Sequence, residues 1–390
     1  MQPYCPAQRL ASANSLPAAK LFRLDKPAGG KHTCPMHPEN AAINAVTAVT
    51  HADPWPYYRR LREEQPLFFD PTLNLWVASS LATVAAALAH PQLRVRPPAE
   101  PVPTALLGTA AGEVFAQLVR MTDGDFHAAH KPAVEQAARR WSLDDVAAAA
   151  RAASQELADV EDPNAFMARL PVRALALLLG VPAAQRDATC EWVRSFVAGI
   201  APGASADAVG RAVEGAAALM AQGQALGLGS VQAANRIAFM QQSLDATAAL
   251  IGHTVLQLRE QPAPDHMRSF VTEVERWCAP TQNTRRFAAQ DLELAGQRIA
   301  AGQGVLVVLA AANRDAALNI EPERFDPQRP QPRSMGFGEG CHACPGAAIA
   351  IEIVATFAIS MRSTGQFASY FGAQEGFRPL ANISSPLFVH

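Results

Sequence analysis

The chain lacks a strong excess of charge of either sign. Its 33 Lys and Arg residues nearly balance 35 Asp and Glu residues, which leaves a net charge of −2. A balance this close to neutral gives no electrostatic reason to expect nucleic acid as a partner. Aromatic residues are also scarce, at 7%, whereas nearly half of the 390 residues are hydrophobic. This composition favours a compact enzyme-like chain over a nucleic-acid-binding module.

Long apolar runs and disulfide-like cysteine patterns are missing as well. No run reaches the ~18–20 uncharged apolar residues that span a bilayer, and the N-terminus lacks the charged-then-apolar order of a signal peptide. The six cysteines have no regular spacing, which argues against a disulfide framework and for a reducing compartment. We therefore expect a cytoplasmic protein with no membrane partner.

Residues 1–45 are rich in Pro, Ala, Lys and small polar residues, and we expect them to form a loose extension. Within them, Cys34, Met36 and His37 resemble a short heavy-metal-binding motif of copper-handling proteins. Thioether, thiolate and imidazole ligands together suit Cu(I). A single short copy is equally typical of surface coil, which is the interpretation we favour. No linker-like run divides the remaining chain, although its length alone allows more than one domain.

A glycine-rich loop at residues 337–346 carries the clearest chemical signal. It holds Cys344 just before an apolar stretch, 347–357, that is predicted to be helical. Glycines let the backbone turn sharply and approach a flat object closely. A thiolate at a helix entrance is favoured by unpaired N–H groups and by the helix dipole. The loop therefore predicts a soft ligand for a metal, with an ordinary capping cysteine as the alternative.

This loop resembles the haem-binding loop of the cytochrome P-450 family, Phe-Gly-x-Gly-x-His-x-Cys-x-Gly. Its fixed positions are Phe337, Gly338, Gly340, His342, Cys344 and Gly346. The resemblance implies that Cys344, and not Cys341, ligates the iron of haem b, and that the loop residues contact the cofactor. It covers roughly residues 50–390. It also implies the family's fold, a mainly α, trigonal-prism helical domain around a buried haem with a small β lobe, here a single domain over residues 46–390.

Two further segments resemble the same family. Glu273 and Arg276 match its Glu-x-x-Arg signature, and residues three apart on a helix share a face. The resemblance implies that this pair is buried behind the haem and is structural. A third member of the network is expected from residues 322–326, with Arg324 preferred and Arg329 as the competitor. The second segment, residues 312–315, reads Ala-Asn-Arg-Asp, as in bacterial members.

The haem propionates need countercharges, and the resemblance implies where these lie. His127 and Lys131 fall on the family's His-x-x-x-Arg segment, with Lys131 in place of Arg. Lysine keeps the charge but loses the guanidinium fork. Arg286 aligns with a propionate-binding arginine, with Arg285 as the alternative by one register, and His342 is expected to contribute from the loop.

The long helix predicted at about 231–260 departs from the family pattern. The family has Ala-Gly-x-Asp/Glu-Thr where oxygen binds, and the best register here gives Gln242-Ser243-Leu244-Asp245-Ala246. Asp245 supplies the acid, but Ala246 replaces the hydroxyl that helps deliver protons. Thr247 points about 100° away from Ala246, whereas Ser243 and Gln242 share its face. The other register, with Thr254, offers no acid at Gly252-His253.

Three explanations of Ala246 remain open at this point. In the first, a hydroxyl group of the substrate replaces the missing threonine hydroxyl. In the second, Ser243 or Gln242 replaces it. In the third, the enzyme performs chemistry that does not need this proton delivery. The resemblance as a whole implies a haem-thiolate monooxygenase that takes O2, a small organic substrate and electrons from a ferredoxin-type donor with its reductase. The alternatives are nitration, coupling or dehydration, and a non-catalytic haem sensor.

The hydrophobic patterns predict helices and a few strands. Substrate-facing positions implied by the resemblance are Arg94, Arg96, Thr281, Gln282, Asn283, Ser384 and Ser385. We expect ordered structure from near Pro54. The predicted helices lie at about 54–61, 81–89, 133–160, 167–180, 184–200, 205–224 and 231–260, and the predicted strands at 67–69, 75–78, 292–294, 297–299 and 304–309.

Overall fold

A computed structural model describes residues 43–262, 264–363 and 367–389. The predicted N-terminal extension falls almost entirely outside these residues, as does the Cys34-Met36-His37 motif. The expected start of order near Pro54 was too late. Ala45 and Ala48 are fully buried against the side of the fold that holds Tyr58. Asn44 Oδ1 accepts the N–H groups of Val46 and Thr47 at the entrance to the short 3-10 helix Thr47–Thr50.

The fold is mainly helical, as predicted. Its helices are α1 (Trp55–Glu64), α2 (Leu81–Ala89), α3 (Ala110–Ala116), α4 (Gly124–Arg139), α5 (Leu143–Glu156), α6 (Pro163–Leu178), α7 (Ala183–Ile200), α8 (Ala206–Ala225), α9 (Ser230–Glu260), α10 (Met267–Cys278), α11 (Leu309–Asn313), α12 (Ala347–Ser363) and α13 (Phe367–Tyr370).

A small β region accompanies the helices. Its strands are β1 (Leu67–Asp70), β2 (Leu75–Ala78), β3 (Leu93–Arg94), β4 (Thr284–Ala288), β5 (Leu292–Leu294), β6 (Gln297–Ile299), β7 (Gly304–Val307), β8 (Gln374–Phe377) and β9 (Pro386–Phe388). The largest sheet has the order β1-β2-β7-β4-β3, and within it β2 and β7 are parallel. Hairpins β5–β6 and β8–β9 stand apart from it.

One predicted helix, 133–160, was wrong. The structure has two helices there, α4 and α5, separated at Arg140–Ser142. Ser142 accepts the N–H of Asp145, and the Asp145 carboxylate accepts the N–H of Ser142. This reciprocal capping box stabilises a helix start, typically by about 0.5–2 kcal/mol for the cap residue, so the chain begins a new helix instead of continuing the old one.

Helix α9 lies at the centre of the largest apolar core. It contacts α6, α7, α8, α10 and α12, and its residues Ile237, Leu244 and Ile251 are buried. A helix that is covered on most sides needs apolar residues all round, which explains its weak amphipathic pattern. Gly252 lets the β8–β9 hairpin approach closely, since a Cβ there would lie 3.1 Å from Pro386 Cδ.

Across residues 43–262, 264–363 and 367–389, none of the helices combines the length and the apolar character that a membrane crossing requires.

Candidate haem site

The cysteine loop is shaped by two glycines and one closing hydrogen bond. Gly338 and Gly340 have φ of 71° and 70°, a region that residues with a Cβ rarely adopt. The Cys344 N–H donates to the carbonyl of Phe337 at 2.8 Å. The Gly346 N–H donates to the Cys344 sulfur. Backbone geometry alone therefore fixes the thiol at the start of α12.

Groups around Cys344 shift the pKa of its thiol in opposite directions. Burial raises the pKa of its thiol, and the Gly346 N–H, Arg120 and Lys131 oppose this. The side chain nevertheless keeps accessible surface, as does Arg120, whose pKa is lowered by burial. Side chains that are surrounded by protein atoms and still have solvent-accessible surface lie on the wall of an internal cleft. Arg120 was missed from the sequence, although an arginine between two apolar residues, Val119 and Met121, is a signal that the sequence contains.

Lys131 contacts the cysteine loop directly. Its Nζ donates to the carbonyl of Ala343 at 2.7 Å and lies 3.9 Å from Glu135. The structure thus places Lys131 on the backbone next to Cys344, where it joins α4 to the loop.

His127, His342 and Asp123 form a second cluster beside the loop. The two imidazole rings lie 4.3 Å apart, and His342 Nε2 is 3.1 Å from Asp123 Oδ1. Burial would raise the pKa of Asp123, but hydrogen bonds from His342 and from the Val95 N–H outweigh it and lower that pKa. Burial and the neighbouring His342 lower the pKa of His127. His127 Nε2 is buried and has no partner among the described residues.

Arg286 faces the same cluster from β4. It is buried, and burial lowers the pKa of its guanidinium, with Arg120 acting in the same direction. Its Nη1 donates to the Arg285 carbonyl at 2.9 Å and to Thr284 Oγ1 at 3.4 Å. None of the ion pairs in the described part of the chain includes Arg286. Buried cationic groups without a carboxylate indicate a place for an external anion.

The predicted Glu273–Arg276 pair is present and buried. Both side chains are at most 1% exposed, and the guanidinium donates to both carboxylate oxygens, at 2.7 and 2.8 Å. Arg276 also donates to the carbonyls of Pro322 and Arg324. The network joins α10 to the segment that leads into the cysteine loop.

The third member of this network is Arg329, and the preference for Arg324 was wrong. Arg329 Nε lies 3.3 Å from Glu273 Oε1. The Arg324 side chain is 60% exposed and pairs with Asp326 and Glu321 at the surface. Arg324 contributes only its backbone carbonyl, because its side chain leaves the loop on the solvent side.

A cavity separates the cysteine loop from α9. It is lined by Ala246, Thr247, Leu250, Glu275, Pro280, Thr281, Phe337 and Ala350. Ala246 and Thr247 thus face the same space, although their Cβ atoms point in different directions along the helix. Ser243 does not supply a free hydroxyl on α9, since its Oγ donates to the Met240 carbonyl at 2.8 Å. Gln242 adjoins it on the same turn.

Asp245 pairs with a residue far away in sequence. Its Oδ1 lies 2.9 Å from Arg378 Nη1, just beyond β8. The acid of the oxygen-side segment is therefore held by the C-terminal hairpin.

Several of the residues expected to face the substrate have hydrogen-bond partners within the fold or are buried. Gln282 accepts the hydroxyl of Tyr58, and Asn283 donates to the Ala381 carbonyl. Ser384 and Ser385 are buried. Thr281 lines the cavity, and Arg96 donates to the Glu100 carbonyl.

The Cytochrome P450 family model matches residues 252–361. The chain is 27% identical to 20-oxo-5-O-mycaminosyltylactone 23-monooxygenase of Streptomyces fradiae, over 86% of each chain. It is 30% identical to mycinamicin IV hydroxylase/epoxidase of Micromonospora griseorubida, over 47% of this chain and 54% of that one. Other curated relatives are matched over only 26–29% of their length.

The fold is shared with solved structures. Epothilone B-bound cytochrome P450epoK superposes with a TM-score of 0.72 at 22% identity, over 86% of this chain and 96% of that one. The family-model match, the curated relatives and the shared fold together support a bacterial cytochrome P450, an oxidoreductase that binds haem.

The residues present fit that cofactor. A thiol held by backbone groups suits iron, and glycines allow a flat ring to approach. The unpartnered His127 Nε2 and the buried Arg286 match the two anionic propionates.

Proposed function

We propose that this chain is a haem-thiolate monooxygenase that inserts one oxygen atom from O2 into a small organic substrate, with Cys344 as the iron ligand. The observation that supports this most directly is the shared cavity. Phe337 of the cysteine loop and Ala246 and Thr247 of α9 line one space. A thiolate on one side and a helix on the other is the arrangement that oxygen activation at haem requires.

The protein's part in the chemistry follows from its own contacts. The cofactor, when bound, supplies the oxygen chemistry, and a thiolate ligand favours O–O cleavage by donating electron density. The Gly346 N–H stabilises the negative charge on Cys344. His127, Arg286 and His342 would hold the propionates, and Phe337, Gly338 and Gly346 would contact the ring. Lys131 keeps the loop in place through the Ala343 carbonyl.

Proton delivery in this proposal does not use residue 246. Ala246 has no hydroxyl, and the Ser243 hydroxyl is occupied by the Met240 carbonyl. Because the Ser243 hydroxyl is already bonded, we favour a hydroxyl group of the substrate as the group that binds the water molecule from which the proton is delivered. Asp245 remains the acid, held by Arg378, and Thr247 is a further hydroxyl on the cavity wall.

The substrate class and the electron donor are also proposals. Relatives named for 20-oxo-5-O-mycaminosyltylactone and for mycinamicin IV support a secondary-metabolite substrate. We expect electrons from a ferredoxin-type partner with its reductase. The exposed Arg139, Arg140 and Arg333 offer positive charge to an acidic donor. The expected cytoplasmic location and single-domain organisation stay predictions.

Turnover with labelled oxygen tests the proposal. The haem-loaded protein is titrated with a compound library for changes in its ferric spectrum, and compounds that bind are incubated with reduced ferredoxin and 18O2. One labelled oxygen atom in the product supports monooxygenation. An unlabelled coupled or dehydrated product, or a product that gains a nitro group instead of a single oxygen atom, would support the alternative chemistry. Binding without substrate-dependent electron consumption would support a sensor.

A further inference from the structure

Glu275 is a buried carboxyl group that the proposed function does not use. It lies on α10 and is 5% exposed. Its neighbours Glu273 and Arg276 form an ion pair with each other. None of the ion pairs between described residues includes Glu275. Among the described residues that line the cavity between Phe337 and Ala246, it is the one with an ionisable side chain.

Space for this carboxyl group is made by Gly336, the residue directly before the cysteine loop. A Cβ on Gly336 would lie 2.1 Å from Glu275 Oε1, far inside van der Waals contact. The φ of Gly336 is not positive, so its conformation does not require glycine; only the close approach does. Ser334 completes the contact, since its hydroxyl bonds to the Glu275 carboxyl group and accepts the Gly336 N–H at 3.0 Å.

The ionisation of Glu275 falls in the physiological range. Burial raises the pKa of its carboxyl group to about 7, against the opposing effects of the Ser334 hydrogen bond and Arg276. The ionised carboxylate in turn raises the pKa of the Cys344 thiol. The two groups therefore interact electrostatically.

Other charged or titratable groups near Glu275 are already paired or do not titrate near neutral pH. On α10 they are Glu273 and Arg276, which pair, and Cys278, whose pKa burial raises to about 12. Arg314, after α11, pairs with Glu323. Glu352 of α12 pairs with Arg268. On α9, burial lowers the pKa of His253 to about 4, so it is neutral.

We propose that Glu275 is a positioning residue that couples a proton to the reduction of the haem, by placing a titratable charge behind the Cys344 loop. The inference rests on the proposed function, in which Cys344 ligates iron. One electron comes from the external ferredoxin-type donor and reduces ferric to ferrous iron. Near the pKa of the Glu275 carboxyl group, a fraction of the carboxylate takes up a proton from solvent on reduction, and this proton uptake partly offsets the charge of the added electron.

The sign of the effect follows from the charge. Below neutral pH Glu275 is uncharged and does not oppose the incoming electron. Above it, the carboxylate disfavours reduction because the extra negative charge lies near the thiolate and the iron. The reduction potential of the haem should therefore fall as the pH rises through about 7, the pKa of the carboxyl group.

Spectroelectrochemical titration of the haem-loaded chain between about pH 6 and 8.5 tests this, with one tenfold change in the reduction equilibrium equal to about 59 mV for one electron. We expect a fall of about that size in the wild-type protein. In Glu275→Gln the fall should shrink to what the remaining groups around the haem contribute. Glu352→Gln, a matched change in another buried carboxyl group, should behave like the wild type. Equal slopes in wild type and Glu275→Gln would overturn the inference.

Two further measurements distinguish a failure of this inference from a failure of the proposed function. The ferrous–CO spectrum of each sample reports thiolate ligation, and a wild-type protein without the thiolate-type band would overturn the proposed function and this inference together. Redox-difference infrared spectroscopy of the wild type needs no variant to fold. A carboxylic-acid C=O band gained on reduction, shifted in D2O, is expected, and its absence would contradict proton uptake by a carboxyl group.

Discussion

Asp245 on α9 and Arg378 beyond β8 form an ion pair with 2.9 Å between Oδ1 and Nη1. The pair connects the oxygen-side helix to the C-terminal hairpin, across 133 positions of sequence. Both side chains are partly exposed, at 16% and 34%, so water can reach the carboxylate. Asp245 is thus accessible to solvent and adjoins Ala246 of the cavity wall, and we expect a proton relay to start there.

Asp245→Asn should impair turnover without impairing the fold. A positioned acid or base typically contributes about 100- to 10,000-fold to rate, so kcat with the true substrate should fall by at least about 100-fold. Arg378→Ala should cost only about 0.2–1 kcal/mol of stability, as partly exposed pairs do. Haem content and ferrous–CO spectra serve as controls, and a fully active Asp245→Asn variant would remove Asp245 from the mechanism.

Cys341 and Cys344 provide a matched pair for testing iron ligation. Cys341→Ser should keep the red-shifted ferrous–CO band, because Cys341 is not held by the backbone contacts that fix Cys344. Cys344→Ser should lose that band. A Cys344→Ser protein with a normal thiolate spectrum would refute the assignment.

Arg329 and Arg324 provide a second matched pair. Arg329→Ala removes a buried partner of Glu273 and should cost about 3–5 kcal/mol, the range for breaking a buried ionic network. Arg324→Ala removes an exposed side chain and should stay within about 0.5 kcal/mol. Urea unfolding at constant pH measures both, and comparable losses would mean that the Arg329 contact contributes no more than a surface pair. Glu273→Ala should likewise yield little haem-loaded protein.

Ser243→Ala should leave turnover coupled, because the Ser243 hydroxyl is already bonded to the Met240 carbonyl. The measurement is the fraction of electrons recovered as product rather than peroxide, with the true substrate and with an analogue lacking its hydroxyl. The analogue should leak peroxide. Leakage from Ser243→Ala with the true substrate would instead assign the water-holding role to Ser243.

The substitution Ala246→Thr tests the same proton route by adding a hydroxyl group at position 246. If the substrate supplies the hydroxyl, the added threonine should not improve coupling with the true substrate. A wild-type enzyme that is badly uncoupled with that substrate, and is repaired by Ala246→Thr, would show that no alternative proton route exists.

Features encoded by neighbouring residues were predictable from sequence. The Cys344 loop, the Glu273–Arg276 pair and the long helix all rest on local spacing, and the fold class was confirmed. The Ser142–Asp145 capping box was equally local and readable, so the single helix expected at 133–160 was an avoidable error.

Contacts between distant segments were not predictable in the same way. Arg324 and Arg329 lie in one irregular stretch, where no helical or strand period indicates which side chain turns inward. Arg120 and Arg378 reach their partners only through the tertiary fold. The fit of Glu275 against Gly336 depends on the packing of α10 on a loop, and neither residue alone signals it.

The parallel pairing of β2 with β7 has a consequence for the order of assembly. Trp76 pairs with Val305. The largest sheet therefore cannot form completely during synthesis until most of the chain has left the ribosome. Such non-local contacts are slow to form because a long loop must close first. The cysteine loop is synthesised later still. We therefore expect cofactor capture to be a late, post-translational event, and nascent chains that stall before residue 304 to remain without haem.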